Sequence, residues 1–203
     1  GGSDTTAAAL GSALHADFVE IYTDVDGIMT ADPRVVEKAT ILQQISYAEV
    51  CQMAHNGAKV IHPRAVEIAM SSNVPLIVKS TFSEAPGTII TNERAAGSLG
   101  SDVAINDNMA SGVASLSDLA QFRITLNPED MSAGRKLFED LAAAGISVGS
   151  LNLSEKEAMF AVFSPDVDRT CEVLDNTEFK YVLNTGCGKV TVVGNAMRGV
   201  PGV

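Results

Sequence analysis

The chain has 203 residues, 46% of them apolar, and a formal net charge of −11, so it can hold one large domain or two small ones around a real core. An acidic chain with no basic patch is no nucleic-acid binder, and any anionic substrate must be held by a few placed cations and backbone N–H groups. No apolar run reaches the length of a membrane span, and the N-terminus has none of the regions of a secretory leader.

The opening Gly1-Gly2-Ser3-Asp4 reads as a turn entering a helix over residues 5–15, with Ser3 and Asp4 able to cap it. Alternation over 18–23 predicts a strand, and 24–33 a turn-rich loop broken by Gly27 and Pro33. Ser46 and Glu49 form a capping-box pattern for a helix ending near Gly57. Pro63 takes a tolerated first-turn position in a helix ending near Asn73. Short buried-type strands follow at 76–78 and 88–90, and strands alternating with helices indicate an α/β layer architecture.

Residues 91–112 turn to Gly, Ser, Ala, Asn and Asp and read as a linker. The pattern then restarts with a strand at 122–126 and a helix at 131–144 that puts Leu137, Phe138 and Leu141 on one face and stops at Gly145. Strands at 146–153 and 158–163, a short helix at 165–174 and a strand at 179–183 complete a β-α-β-β-α-β, ferredoxin-like unit. Phe122, Ile124 and Leu126 should face its helices, leaving Arg123 and Thr125 on the other side. Residues 189–194 open a further strand and glycine turn, which suggests a second, truncated copy. Both chain ends read as cut.

Cys51, Cys171 and Cys187 form no CxxC, and their odd number argues against a disulfide scaffold, so buried free thiols of a cytoplasmic protein are expected. His15, His55 and His62 lack metal-ligand spacing, and no metal site is expected among them.

Glycines let backbone N–H groups approach an anion, and a helix N-terminus adds a favourable dipole, so Gly1-Gly2-Ser3-Asp4 fits a phosphate cradle as well as an ordinary cap. Thr23-Asp24-Val25-Asp26-Gly27 stands at a strand end, where α/β sheets gather ligands; it also fits a turn with solvated acids. Arg34 can pair with phosphate oxygens. Lys59, in Gly57-Ala58-Lys59-Val60, can reach a phosphate as a point charge or be a surface lysine after a glycine stop.

GGSDTTAAAL, TDVDGIMTADPR, ISYAEV, GAKVIHPRAVEIA and NVPLIVKSTFS occur in this order. Together they resemble the aspartate kinases of the amino acid kinase family, densely over the first ninety or so residues. TDVDG and TADPR are shared with glutamate and uridylate kinases of that family, whereas GGSD and GAKVIHPRA point to aspartate kinase. The ferredoxin-like unit looks like the ACT regulatory domain of these enzymes. The resemblance implies the C-terminal, nucleotide-binding part of an amino acid kinase fold over 1–92, a linker over 93–111, an ACT domain over 112–186 and the start of a second ACT unit over 187–203.

It further implies phosphorylation of L-aspartate by MgATP to 4-phospho-L-aspartate, the step that opens lysine, threonine and methionine biosynthesis, with ATP and Mg2+ as cofactors. Gly1, Gly2 and Ser3 match the segment lining the aspartate pocket, and Asp4 the carboxylate that orients the catalytic lysine and substrate groups. Thr23, Asp24, Arg34, Lys59 and Val60 match ATP contacts. Met29 stands where the family often has tyrosine, and methionine can pack on a ring face. Feedback by lysine or threonine and a homo-oligomer built through the ACT units are implied as well. The family's lysine-containing KFGG segment and the arginine before GGSD are absent from the sequence, so the chain alone is expected to be inactive. The loop Asn127-Pro128-Glu129-Asp130-Met131-Ser132 departs from the aspartate, proline and glycine run common in the family. A non-catalytic amino-acid-binding module and a glutamate-type kinase are the competing readings.

Overall fold

Gly2 stands in the left-handed region at φ 115°, and helix α1 (Ser3–Ala13) begins directly behind it. Gly2 is therefore the N-cap residue, and Ser3 and Asp4 lie inside the first turn with no side-chain cap bond. The expected capping by Ser3 and Asp4 is corrected accordingly: the chain enters the helix through a backbone that glycine adopts without steric cost. The computed structural model describes residues 2–92, 110–127, 129, 130 and 132–194. Gly1, most of the expected linker and residues 195–203 of the expected second copy lie outside them.

α1 buries Ala8 and Gly11. Gly11 has to be small, since a Cβ there would stand 2.2 Å from Val19 Cγ2. Strand β1 (Val19–Thr23) follows. Strand β2 (Gln44–Ser46) precedes helix α2 (Tyr47–His55). At α2 both halves of the capping box are made: Ser46 Oγ accepts from the Glu49 N–H, and Glu49 accepts from the Ser46 N–H. Helix α3 (Pro63–Ser72) has proline in its first turn and ends at Asn73, left-handed at φ 55°. Strands β3 (Leu76–Ser80) and β4 (Thr88–Thr91) complete a sheet of order β1-β3-β4-β2. β1 runs parallel to β3, β3 antiparallel to β4, and β4 parallel to β2. Ile45, Tyr47, Val66, Leu76, Val78 and Ile90 form the fully buried centre of this unit, and Val193 joins them from far along the chain.

The second half runs β5 (Gly112–Thr125), α4 (Ala133–Ala143), β6 (Gly149–Leu153), β7 (Glu157–Phe163), a 3-10 turn (Ser164–Asp166), α5 (Val167–Asp175) and β8 (Lys180–Val193). Its sheet order is β6-β7-β5-β8, with β5 antiparallel to β7 and Phe122 opposite Phe160. That is the β-α-β-β-α-β order of a ferredoxin-like unit. Phe122 and Phe160 stack with centroids 5.6 Å apart, and Phe138 meets Phe160 edge-on at 5.9 Å. Leu137, Leu141 and Leu174 close this core from the helices. Phe122, Ile124 and Leu126 are buried, while Arg123 and Thr125 are exposed.

β5 begins ten residues before the expected strand, and the two strands expected at 179–183 and 189–194 are one continuous β8. By compactness the chain divides into one unit built from Gly1–Ser115 and Val190–Val203 and a second from Leu116–Lys189. No helix among the described residues is long and apolar enough to cross a membrane.

Candidate functional site

Helix α1 leads into β1, and α3 leads into the parallel β3. That connectivity brings both helix N-termini to the carboxyl ends of both strands, the edge at which open α/β sheets bind ligands. One hydrogen bond joins the two N-termini: the His62 N–H, at the N-cap of α3, donates to Asp4 Oδ2 at 3.3 Å. Ser3 Oγ donates to the other Asp4 oxygen at 3.3 Å. Asp4 is thus tied to the segment that follows Lys59, and the positive ends of two helix dipoles meet beside its carboxylate.

Thr23 ends β1, and its Oγ1 donates to Asp24 Oδ1 at 3.0 Å. Its carbonyl accepts from the Thr81 N–H at 2.8 Å and the Thr81 Oγ1 at 3.1 Å. Ser83 Oγ donates to Asp26 Oδ1 at 2.5 Å. The Ser80-Thr81-Phe82-Ser83 turn therefore braces the Asp24–Gly27 loop from β3. Sequence reasoning gave these hydroxyls no role; their place directly after a strand parallel to β1 was the available signal.

The loop is held more firmly than a turn-rich reading suggests. Thr30 N–H donates to the Thr40 carbonyl and Leu42 N–H to the Ile28 carbonyl, and Met29 bridges Ile41. Thr88, fully buried, accepts from the Ile28 N–H at 2.8 Å and donates to the Leu42 carbonyl at 2.6 Å. A Cβ at Gly27, φ 154°, would stand 2.6 Å from that hydroxyl, so only glycine lets the loop close on Thr88. Met29, half-buried, follows the buried Ile28.

Arg34 is exposed and makes a bidentate pair with Asp32, Nε to Oδ1 at 3.0 Å and Nη2 to Oδ2 at 2.7 Å. The guanidinium holds the Asp32 carboxyl below the usual range, and the carboxylate raises the guanidinium in turn. Arg34 therefore starts from a partnered state, and a phosphate would compete with Asp32 for it. Lys59 is exposed and makes no ion pair among the described residues. Val60 is half-buried and joins Ile28, Val50, Met53 and Ile61 around a shallow apolar notch. The structure thus joins Asp4 to the 59–62 segment and Ile28 to Val60. No group of three His, Cys, Asp or Glu side chains suited to a metal occurs among the described residues.

A family model described as the amino acid kinase family matches residues 1–80. Aspartokinase 1 of Bacillus subtilis (strain 168) is 41% identical over 203 residues, all of this chain and 50% of that protein. The aspartokinase of Mycolicibacterium smegmatis is 39% identical over 215 residues, with the same coverage of 100% and 50%. The crystal structure of E. coli aspartokinase III with aspartate and ADP, in the R-state, is 31% identical with a TM-score of 0.78, over 100% of this chain and 46% of that one. The aspartate kinase of Clostridium acetobutylicum, described as an allosteric enzyme, superposes with a TM-score of 0.84 at 25% identity, over 100% and 47% of the two chains. The chain spans about half the length of the curated relatives it matches.

Proposed function

We propose that the chain is the nucleotide-binding and regulatory portion of an aspartate kinase, a reading supported by the amino acid kinase family model matching residues 1–80 and by the alignment of the whole chain with one half of the aspartokinases. The reaction is transfer of the ATP γ-phosphoryl group to the side-chain carboxylate of L-aspartate. Phosphoryl transfer asks a protein for positioning and charge compensation more than covalent chemistry. Mg2+ arrives as MgATP, held on the phosphates rather than in a cage of this chain's own side chains. The observation that carries the reading is the Asp4 contact with the His62 N–H, which ties the opening glycine turn to the Lys59 segment at the carboxyl edge of the sheet.

Within this reading Gly1, Gly2 and Ser3 line the aspartate pocket and Asp4 orients substrate and the catalytic lysine supplied from elsewhere in the complete enzyme. Thr23, Asp24, Met29, Arg34, Lys59 and Val60 contact ATP. Residues 1–92 are the kinase portion, 93–111 a linker, 112–186 an ACT regulatory domain and 187–203 the start of a second. Lysine or threonine acts as effector through ACT units that also associate the protein into a homo-oligomer in the cytoplasm.

The test is aspartate-dependent ADP release with saturating MgATP. The complete protein should turn over on the order of 1 per second or faster, and the 203-residue chain alone should not. Asp4→Asn in the complete protein should lower kcat with a loss of about 2–4 kcal/mol while leaving the KM for ATP within a small factor. An Asp4→Asn enzyme with unchanged kcat would return Asp4 to a purely structural role.

A further inference from the structure

The connection from β3 into β4 supplies hydroxyls to the loop that follows β1, and all of these residues lie in one compact unit. Thr81 Oγ1 donates to the Thr23 carbonyl at 3.1 Å, Ser83 Oγ to Asp26 Oδ1 at 2.5 Å and Thr88 Oγ1 to the Leu42 carbonyl at 2.6 Å. Thr81 and Ser83 are exposed, whereas Thr88 is fully buried.

Thr88 uses its hydroxyl in both senses, because it also accepts from the Ile28 N–H at 2.8 Å. Ile28 and Leu42 belong to the two arms of the loop, and the Leu42 N–H donates to the Ile28 carbonyl at 2.8 Å. Further along the arms, the Thr30 N–H donates to the Thr40 carbonyl at 2.9 Å, and Thr30 Oγ1 accepts from the Thr40 N–H at 3.1 Å. One side chain therefore pins the root of both arms. β4 keeps that side chain in place, with Thr88 paired opposite Val78 of β3. Met29 and Arg34 stand between the pinned positions, and Asp24 and Asp26 stand just before them.

We propose that Thr88 is a positioning residue for the nucleotide, fixing both arms of the loop that carries Asp24, Met29 and Arg34, and that Ser83 steadies the same loop at Asp26. The proposal rests on the nucleotide role given above to that loop. It separates the two substrates. The opening turn assigned to aspartate is tied through Asp4 to His62, and Thr88 takes no part in that bond. Loss of the Thr88 hydroxyl should therefore loosen the nucleotide side and spare the aspartate side.

Thr88→Val keeps the β-branched shape and leaves the Ile28 N–H and the Leu42 carbonyl without this partner. In the complete protein it should raise the Kd for MgADP, measured by calorimetry, and the KM for ATP at least about fivefold. The KM for aspartate should stay within about twofold, a split that general destabilisation would not produce. Thr88→Ser, which keeps the hydroxyl, should restore the Kd. Ser83→Ala is a change at an exposed position and does not depend on the valine variant folding; it should raise the Kd roughly two- to fourfold. An unchanged Kd in Thr88→Val, or a rise in both KM values by the same factor, overturns the role of Thr88. An unchanged Kd in Ser83→Ala overturns that of Ser83. A wild-type protein that binds MgADP but releases none with aspartate ends the aspartate kinase reading alone, and the Kd series still decides this one. A wild-type protein that binds no MgADP ends both.

Discussion

Tyr47 shows what a single buried hydroxyl does in this fold. Its side chain is fully buried and its OH donates to the Val74 carbonyl at 2.7 Å. Burial pushes the phenol from its ordinary 10.0 to about 12. The folded protein therefore keeps a proton that the unfolded chain gives up first. The phenol's contribution is fully present below about pH 10 and is lost as pH rises through about 12. Tyr47→Phe should cost about 1–3 kcal/mol in urea unfolding near neutral pH, because it strands a buried carbonyl. The gap between the two proteins should narrow between pH 10 and 12; a constant gap across that range would mean the phenol is not the titrating group. At the same scale the sequence was only partly readable. Asp4, Thr23 and Lys59 could be named from their motifs, but Thr88 could not. Its hydroxyl matters because folding brings it against Gly27 and Ile28, sixty positions earlier in the case of Ile28.

Among the elements, the connection from β3 to β4 depends on Gly87. It has φ 83°, and a Cβ would stand 2.2 Å from the Val78 carbonyl oxygen. Gly87→Ala should therefore cost more than about 2 kcal/mol, combining the left-handed penalty with a backbone clash. Gly145, which ends α4 at φ 68° with nothing within 4 Å of an added Cβ, isolates the first term. Gly145→Ala should cost only about 1–2 kcal/mol, and equal losses at the two sites in thermal unfolding would show that the clash at Gly87 is relieved. Elements with local signals were legible: the Ser46 and Glu49 box, Pro63 in α3, Asn73 and Gly145 as stops. β2 was not, because three residues carry no period and it exists by pairing with β4. The first ten residues of β5 were hidden because Val113, Leu116 and Leu119 stand among small and polar residues without a steady alternation, and the stretch is extended beside its partner β8. Within β8, Gly186 takes the left-handed backbone at φ 68° and Gly188 lets the strand approach the Leu116 carbonyl.

On the scale of the whole molecule, the two cores are made of different residues. Phe160 is fully buried and central to the second. Phe160→Ala should cost about 3–5 kcal/mol and strip amide protection from β5, β7 and α4 while the β3 amides keep theirs. Simultaneous loss of protection in both would show that the units unfold as one. The α/β class and the order of the elements followed from alternation of strands and helices, but the ownership of chain segments did not. Nothing in the local composition of 190–193 says that it belongs with residues far upstream.

That ownership has a consequence for how the protein is made. Val193 is fully buried in the core that also holds Ala8, Ile21 and Val78. During synthesis, the ribosome delivers α1 through β4 well before it delivers this valine, with the whole of 116–189 emerging in between. The early segment must wait with one place in its interior unfilled, and the later unit, whose core is complete within its own stretch, can close first. The order of folding then runs against the order of translation, and in a nascent chain arrested shortly after residue 189 the second unit would be finished while the first is not.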